Sequence, residues 1–436
     1  MVKDVHRNNK IRKTRTVSSR KKTVRSTHAA ARTSRPVRME QSVNRRPKTS
    51  YSKSKKRTNR NGILRSLFVS DRKAGDIDYS FLLLVVVLSV FGLVMLLSAS
   101  TAAASNKFGN SYRFFLRQFG YVAAGMVLMF GISRIDYRKY KPYAKLFLIV
   151  CIVMLALVFI PGIGVDHNGS RRWINLIVME FQPSEITKLA VAMFYAAMIE
   201  DKKYDLKHLD GILRIGMWIG VVALLMMLET HLSGTIVLCG IALCVMIAGG
   251  IKMVYVAMAG GAAAGLATIF LSFDSVRRTR IMTFAHPFTD RQSSGYQVIQ
   301  SLYAIGSGGF FGKGLGQSMQ KFYLPEPYND FIFAIVGEEL GLVGCAFIVF
   351  LFAALIIRGM RISMKAKDTF GSLLVVGIMA QVAIQTILNI AVVTSTIPNT
   401  GVPLPFFSYG GTAFMILLME MGVVLSVSRY SGENNN

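Results

Sequence analysis

Asp330 stands where a carboxylate could act on a substrate, because it directly precedes an apolar run that starts at Phe331. The macrodipole of a helix favours a carboxylate at its N-terminus and keeps that group ionised. An ionised Asp within reach of a substrate hydroxyl can act as a general base. Asp is also a preferred N-cap residue. The local sequence therefore leaves two interpretations open, a general base and a helix cap.

A glycine-dense segment lies shortly before Asp330 and is suited to close contact with a ligand. Residues 306–316 read GSGGFFGKGLG, and glycine lets a backbone approach a ligand closely. The segment is not a Walker phosphate-binding loop, because Ser307 stands where the first glycine is required. In addition, Gly314 replaces the Ser or Thr that should follow Lys313. An ATP site is therefore disfavoured.

Glu185 and Lys188 form the clearest ionisable pair within an apolar run. Charged side chains inside a membrane helix are costly and are usually paired or functional. Their spacing of three residues places them on one helix face, so they can form a structural ion pair or line a cavity. Five other polar residues interrupt apolar runs without a spacing that assigns them a role: Glu229, His231, Glu338, Glu339 and Glu420.

Membrane helices must position these residues, because the composition excludes a soluble protein. Of the 436 residues, 52% are hydrophobic and only 17% are charged, and the mean hydropathy is +0.43. Soluble proteins carry about 25% charged residues. We predict an all-α polytopic membrane protein with ten transmembrane helices, since each apolar run can cross a hydrocarbon core about 30 Å thick. The predicted spans are 79–99, 115–133, 143–161, 184–200, 212–230, 233–250, 253–272, 331–357, 370–392 and 408–427.

A basic segment precedes the first span. Residues 1–80 hold 24 Lys or Arg against 5 Asp or Glu, with few large apolar residues, which predicts a disordered tail over 1–78. The positive-inside rule places this tail in the cytoplasm, and an even number of spans returns residues 429–436 to the same side. The tail could be simply solvated, lie on anionic lipid or bind nucleic acid; we expect no nucleic acid.

Two predicted outward loops are also basic. Loop 162–183 carries Arg171 and Arg172, and the large extracytoplasmic loop 273–330, between the seventh and eighth spans, carries Lys313 and Lys321 among others. An anionic substrate at the outer surface would explain this charge. Long loops also cross the membrane regardless of their charge, so this pattern alone leaves both explanations open.

Four segments together resemble the SEDS family (shape, elongation, division and sporulation), which comprises FtsW, RodA and SpoVE. They are GSRRWI at 169–174, FQPSEITKLA at 181–190, the run 295–344 that contains YLPEPYNDF, and TGVPLPFFSYGGT at 400–412. The resemblance covers residues 80–427, and its last two segments are highly specific when they occur in order on ten spans. The segment AVVTSTIP at 391–398 favours the FtsW/SpoVE branch over RodA.

This resemblance implies a peptidoglycan glycan-strand polymerase at the outer face of the bacterial cytoplasmic membrane, acting in division or sporulation. The 4-hydroxyl of GlcNAc on lipid II attacks the anomeric MurNAc carbon of an undecaprenyl-linked glycan, and undecaprenyl pyrophosphate leaves. Asp330 occupies the position of the family's catalytic carboxylate, as general base. The implied partners are a class B penicillin-binding protein and other division or elongation proteins, and the implied cofactor is a divalent cation such as Mg²⁺ or Mn²⁺.

The resemblance and the outward charge together nominate contacts to substrate and pyrophosphate. Arg can bind phosphate oxygens with two hydrogen bonds and stabilise the charge that develops on a leaving group. No dedicated metal motif is visible. The candidates are Arg171, Arg172, Trp173, Gln297, Lys313, Lys321, Glu326 and Ser408.

One motif departs from the family, which usually reads close to QPDLGT where residues 229–235 read ETHLSGT. A role for the family's Asp at that place does not carry over. Gly234 and Thr235 are retained, which predicts that the turn between the fifth and sixth spans is kept.

Other functions remain open. A lipid II flippase would suit ten spans with intramembrane ion pairs, but transporters build their site near the midplane from broken helices. The polar residues of this chain concentrate in an outer loop, which favours an enzyme. A RodA-type elongation polymerase and a non-catalytic scaffold are the further alternatives.

Overall fold

The computed structural model describes residues 75–167, 170–175, 180–273, 284 and 295–431. The predicted disordered tail lies outside the described residues, apart from 75–78, as do the end of the C-terminal tail and part of the loop 273–330. The described chain is mainly helical. Its α-helices are α1 (Tyr79–Phe108), α2 (Arg113–Ser133), α3 (Ala144–Leu157), α4 (Pro183–Glu200), α5 (Leu209–Leu228), α6 (Leu232–Ala248), α7 (Met253–Phe273), α8 (Tyr296–Gly308), α9 (Ile332–Met364), α10 (Thr369–Val393) and α11 (Gly411–Tyr430).

A helix lies at the position of each predicted span. Seven helical stretches among the described residues are long and apolar enough to cross a membrane, and α6 and residues 253–262 are shorter apolar helices. The prediction of a helical, multi-pass membrane protein is confirmed in this coarser form. The seven stretches are α1, α2, residues 137–157 (a 3₁₀ helix, Tyr137–Tyr143, followed by α3), α5, α9, α10 and α11.

Helix α4 is not one of the seven, and its surroundings explain why. It packs against α3, α6 and α10 and buries nearly all of its side chains from Pro183 to Met198. A helix enclosed by other helices is shielded from lipid, so it can carry Glu185 and Lys188 at lower cost than a lipid-facing helix. Helix α4 can therefore be less apolar than the lipid-facing helices, because other helices surround it.

Glycines bring helices α2 and α11 into close contact. A Cβ on Gly125 would lie 2.7 Å from Leu418 Cδ1, and one on Gly422 would lie 2.6 Å from the Met129 carbonyl oxygen. Small residues of this kind let membrane helices pack backbone to backbone.

A small sheet was not expected from the all-α prediction. Strands β1 (Gly164–His167), β2 (Ser170–Asn175) and β3 (Glu180–Phe181) form an antiparallel sheet in the order β1-β2-β3. Val165 lies opposite Trp173, and Ile174 lies opposite Phe181. The strands are too short for the sequence pattern to reveal them, and pairing supplies the backbone hydrogen bonds that this connection needs outside a helix.

Helix α9 consists of two helices broken at Gly341, whose φ of 67° and ψ of −164° are not helical. Residues 332–339 are all buried, whereas exposed apolar side chains begin at Leu342. A Cβ at Gly341 would lie 2.4 Å from the Gly312 nitrogen. The break thus makes room for the glycine-dense segment beside α9.

Ion pairs gather at the end of the bundle where α1 begins. Asp78 caps α1 by accepting from the Phe81 N–H at 2.9 Å, and it pairs with Arg358 at 2.9 Å. Asp368, at the start of α10, pairs with Arg138 at 2.6 Å. We call this end the tail end, and the opposite end, which carries Asp330, the site end.

Candidate active site

Asp330 does not cap the helix that follows it. Phe331 is the N-cap residue of α9 and makes no side-chain capping hydrogen bond. Within the described part of the chain, the Asp330 carboxylate accepts no hydrogen bond, although its backbone carbonyl accepts one. The structure therefore disfavours the cap interpretation and leaves the carboxylate oxygens open to a ligand.

Asn389 fixes the backbone of Asp330 to a second loop. Its Nδ2 donates to the carbonyl oxygen of Asp330 at 2.7 Å and to that of Val402 at 2.8 Å. Gly401, which precedes Val402, has φ of 68°. A Cβ at this position would lie 3.2 Å from Asp330 Oδ2. Glycine at position 401 therefore adopts the positive φ of this turn, and it leaves space beside the Asp330 carboxylate.

Ser408 fixes the same segment from the other side. Its Oγ donates to the Asn329 carbonyl at 2.6 Å and accepts from the Leu404 N–H at 2.8 Å. The next backbone N–H, of Tyr409, donates to the Tyr328 carbonyl at 2.9 Å. The sequence nominated Ser408 as a substrate contact, but its hydroxyl is engaged by the loop that holds Asp330. We therefore assign it a positioning role.

Burial raises the pKa of the Asp330 carboxyl. The half-buried carboxyl loses hydration, and together with the negative charge of Glu326 this raises its pKa to about 6, against the opposing effect of Arg172. Glu326 has φ of 47° and accepts from Asn329 Nδ2 at 2.8 Å. A base with a pKa near the working pH is well matched to proton transfer.

Arg172 connects the sheet to the junction between α5 and α6. Its Nη2 donates to the Thr230 carbonyl at 2.6 Å, and its Nε donates to the Glu229 carbonyl at 3.4 Å. Its charge also acts on Asp330. Arg172 thus joins β2, the α5–α6 junction and the electrostatic surroundings of Asp330.

Glu229 and His231 are functional candidates that sequence reasoning noted only as polar interruptions. Burial raises the pKa of Glu229 to about 8, which Arg172 opposes, and burial with the nearby Arg172 and Lys188 lowers the pKa of His231 to about 3. Burial therefore favours the neutral form of both side chains. Neither Glu229 carboxyl oxygen nor His231 Nδ1 has a hydrogen-bond partner among the described residues.

A cavity opens in the bundle beside this junction. Lys188 Nζ lies 2.8 Å from Glu185 Oε2, and both side chains line the cavity. The pair is thus both an ion pair and part of a cavity wall, so the two sequence alternatives are combined. The other lining residues include Ser184, His231, Gln385 and Val402, and Val402 directly follows Gly401.

Lys313 and Lys321 do not join this group. Lys313 Nζ lies 2.7 Å from Glu338 Oε1, and the Glu338 side chain is fully buried. Lys321 is buried, and its Nζ donates to the Gly316 carbonyl at 2.6 Å. Each ammonium has an internal partner that holds the glycine-dense segment, and the nomination of these two lysines as pyrophosphate contacts stays a prediction.

The remaining nominated residues lie on neighbouring elements. Arg171 is exposed and Trp173 half-buried, both on β2. Gln297, at the start of α8, accepts from Asn399 Nδ2 at 3.2 Å, which places it beside the loop that contains Gly401. The structure thus brings Arg172, Glu326 and Ser408 to Asp330.

The described residues contain no group of three or more His, Cys, Asp or Glu side chains that could hold a metal ion. The carboxylates near one another at the site are those of Asp330 and Glu326. The protein alone therefore does not supply a full set of ligands within this part of the chain.

Comparison with known proteins places this arrangement in a family. The FtsW/RodA/SpoVE family, described as "Cell cycle protein", matches residues 79–433. Stage V sporulation protein E of Bacillus subtilis is 40% identical over 357 residues, which cover 81% of this chain and 97% of that protein. The probable peptidoglycan glycosyltransferase FtsW of Geobacter sulfurreducens is 38% identical over 353 residues, which cover 80% and 95%.

The fold has a counterpart among solved structures. A chain from the structure titled "Structural coordination of polymerization and crosslinking by a peptidoglycan synthase complex" matches with a TM-score of 0.70 and 24% identity, covering 82% of this chain and 99% of that one. The family match spans every described helix, and the sequence identities extend over nearly the full length of the two relatives. The chain therefore belongs to the FtsW/RodA/SpoVE family of cell cycle proteins.

Proposed function

We propose that this protein is a peptidoglycan glycosyltransferase that polymerises glycan strands from lipid II. The observation that supports this most directly is the Asp330 carboxyl, which has an open pair of oxygens, a backbone held by Asn389 and a pKa near 6. Relatives at 34–38% identity carry the name probable peptidoglycan glycosyltransferase FtsW. The proposed setting is division or sporulation, with RodA-type elongation as the alternative.

In the proposed reaction, the GlcNAc 4-hydroxyl of lipid II attacks the anomeric MurNAc carbon of the undecaprenyl-linked glycan. Asp330 accepts the hydroxyl proton as the new C–O bond forms, which makes the oxygen a better nucleophile. The bond between the anomeric carbon and the pyrophosphate oxygen breaks, and its electron pair leaves with undecaprenyl pyrophosphate. Attack on the face opposite the leaving group inverts the anomeric carbon.

Arg172 is the proposed electrostatic stabiliser of the leaving group. Its guanidinium lies close enough to act on the Asp330 carboxyl, and a fixed cation in a partly dehydrated site stabilises charge that develops on an oxygen. A pyrophosphate between the two would also separate Arg172 from Asp330. This would make Asp330 a stronger base when the substrate is bound, because Arg172 lowers the pKa of Asp330.

A divalent cation fits this site only with help from the substrate. Mg²⁺ is commonly held by one or two carboxylates together with substrate phosphates, and Asp330 and Glu326 are the carboxylates that could contribute. Bound there, it would supply positive charge to the pyrophosphate. The proposed proton transfer to Asp330 does not depend on it.

We further propose that ten helices cross the cytoplasmic membrane, with both termini in the cytoplasm and the site end outside. The basic segment before α1 supports this orientation under the positive-inside rule. The tail end carries Arg138 and Arg358, each paired with an acidic residue. The site end then faces the compartment where the wall is built.

A class B penicillin-binding protein is the proposed partner. The solved structure with the same fold is titled as a peptidoglycan synthase complex that coordinates polymerization and crosslinking. A glycan polymerase needs a cross-linking enzyme close to its product, so a complex of the two would join the reactions in space.

The test is a polymerisation assay on the purified full chain with its candidate penicillin-binding partner, lipid II and Mg²⁺. Wild-type protein should give glycan ladders, and Asp330→Asn should give none while it still binds lipid II. Asp210→Asn, the same chemical change at an exposed site on α5, should leave the ladders unchanged.

Two results would change the proposal. Equal ladders from wild type and Asp330→Asn would remove Asp330 from the chemistry. A complete lack of ladders, together with lipid II translocation in vesicles, would favour the flippase, whose supporting observation is the cavity lined by Glu185 and Lys188 inside the bundle.

A further inference from the structure

The glycine-dense segment presents large apolar side chains outward. Phe310 is 70% exposed and Phe311 is 84% exposed, and Leu315 beside them is also exposed. Contiguous exposed apolar side chains mark a surface that contacts lipid or another molecule. Neither the proposed reaction nor the site residues use these two phenylalanines.

Two contacts between α1 and α9 measure the height of this segment. Asp78 pairs with Arg358 at the tail end, and Ser98 Oγ donates to Glu339 Oε1 at 2.6 Å at the site end. From Asp78 to Ser98, α1 rises about 30 Å at 1.5 Å per residue. This matches the thickness of a hydrocarbon core, about 30 Å, so a core that begins at Asp78 would end near Ser98 and Glu339.

The segment lies on the hydrocarbon side of the Glu339 contact. The Leu342 N–H donates to the Gly309 carbonyl at 2.9 Å, and the Val343 N–H donates to the Phe310 carbonyl at 3.1 Å. These two donors follow the break at Gly341 and belong to the part of α9 that runs from there toward the tail end, on the hydrocarbon side of Glu339. Leu342 and Val343 are themselves exposed, so the apolar surface of the spanning helix continues onto the two phenylalanines.

Several backbone N–H groups of the segment donate hydrogen bonds within the protein, as an environment without water requires. The Gly312 N–H donates to the Gly308 carbonyl at 2.9 Å, and the N–H groups of Lys313 and Gly314 donate to the carbonyls of Glu338 and Glu339, each at 3.0 Å. Non-helical backbone is tolerated at membrane depth only when such groups are satisfied by protein. The one cation of the segment, Lys313, is paired with Glu338.

We propose that residues 308–316 form a re-entrant turn that inserts Phe310 and Phe311 among the acyl chains of the outer leaflet. The bilayer then fixes the height of the helix that begins after Asp330. Asp330 precedes Glu339 by nine residues, which places it at most about 13 Å above the hydrocarbon edge. Headgroups occupy about 5–8 Å of that distance, so the range of heights open to Asp330 includes that of a sugar attached to a membrane-bound pyrophosphate.

The test locates position 311 with a tryptophan in the full-length chain. The native Trp173 and Trp218 are first replaced by Phe, Phe311→Trp is added, and the protein is reconstituted in phosphatidylcholine vesicles. Phe350→Trp provides the reference for lipid, because Phe350 is 65% exposed in the spanning part of α9. Tyr112→Trp provides the reference for water, because Tyr112 is 59% exposed beyond the end of α1.

Lipids brominated in their acyl chains should quench position 311 by the same factor as position 350, and iodide should not. Position 112 should show the opposite behaviour. If position 311 follows position 112, the turn lies in water and the proposal is wrong. Protection of position 311 from both quenchers would mean that protein covers it, which also overturns lipid as the occupant. None of these readouts depends on enzymatic activity.

Discussion

Asp330→Asn should abolish polymerisation and at the same time stabilise the protein. In the folded state, burial and Glu326 raise the pKa of Asp330 from 3.8 to about 6. Ionising the carboxyl in the folded protein therefore costs free energy that the unfolded chain does not pay. At 1.36 kcal/mol per pKa unit, a shift of about two units corresponds to about 3 kcal/mol above pH 6.

Proton linkage gives the direction in which the cost of ionising Asp330 changes with pH. Because the folded pKa is the higher one, the penalty is absent below pH 4, grows between pH 4 and pH 6, and stays constant at higher pH. Water still reaches the half-buried group and screens its charge, so we expect Asp330→Asn to gain about 1–3 kcal/mol at pH 8. By pH 4.5 the gain should fall to about a third of that value.

Two assays follow this ionisation. Thermal unfolding of detergent-solubilised protein at pH 8 and pH 4.5 measures the gain in stability, with Asp210→Asn as the matched exposed control. The pH dependence of kcat/KM measures the base, and at pH 5 wild-type activity should be about a tenth of its plateau. A variant no more stable than wild type at pH 8 would refute the burial argument. An activity profile that is flat from pH 5 to pH 8 would refute the assignment of Asp330 as the titrating base.

Three further predictions concern the residues around the base. Arg172→Gln should raise the pKa of the Asp330 carboxyl, because Arg172 lowers it, and so move the acid limb of the pH–activity profile to higher pH. Asn389→Ala removes two hydrogen bonds of a buried side chain and should cost about 1–3 kcal/mol of stability, with a loss of kcat larger than any rise in KM. Lys313→Met leaves the buried Glu338 carboxylate without its cation and should cost about 1–3 kcal/mol. The double variant Lys313→Met with Glu338→Gln should recover part of that loss.

For each of these predictions, one result would refute the reasoning. An unchanged acid limb in Arg172→Gln, equal to that of the exposed neighbour variant Arg171→Gln, would show that Arg172 does not act on the base. Full activity in Asn389→Ala would show that the loop holds its place without that amide. A double variant at positions 313 and 338 no more stable than Lys313→Met would show that the buried charge is not the cause of the loss.

The proposed base, Asp330, and the proposed re-entrant turn lie on one connection between α8 and α9. The Glu338 carboxylate accepts a hydrogen bond from Lys313 and the Glu339 carbonyl accepts one from the Gly314 N–H, and both residues lie in the helix that Asp330 precedes. A base that acts on a lipid-linked sugar must stand at a fixed height above the bilayer, and proximity of this kind is a large part of catalysis. One short buried helix can hold that height if the membrane holds the turn.

The sequence determined the helices, their approximate places and the importance of the segment that ends at Asp330. Apolar runs of about twenty residues must be helical in a bilayer, since only a helix satisfies every backbone group within a single segment. Asp330 could be singled out because it lies where such a run begins. These are local properties, and residues next to one another in the chain are sufficient to reveal them.

Only the tertiary structure decided which residues meet Asp330. Arg172 reaches the site by donating to Thr230, 58 residues away, and Asn389 donates to Asp330 from 59 residues away. Lys313 is only 17 residues from Asp330 in sequence, yet it is held by Glu338 instead. Charge and spacing could not separate these residues, because the direction of a side chain in a folded loop is set by packing and hydrogen bonds between distant segments.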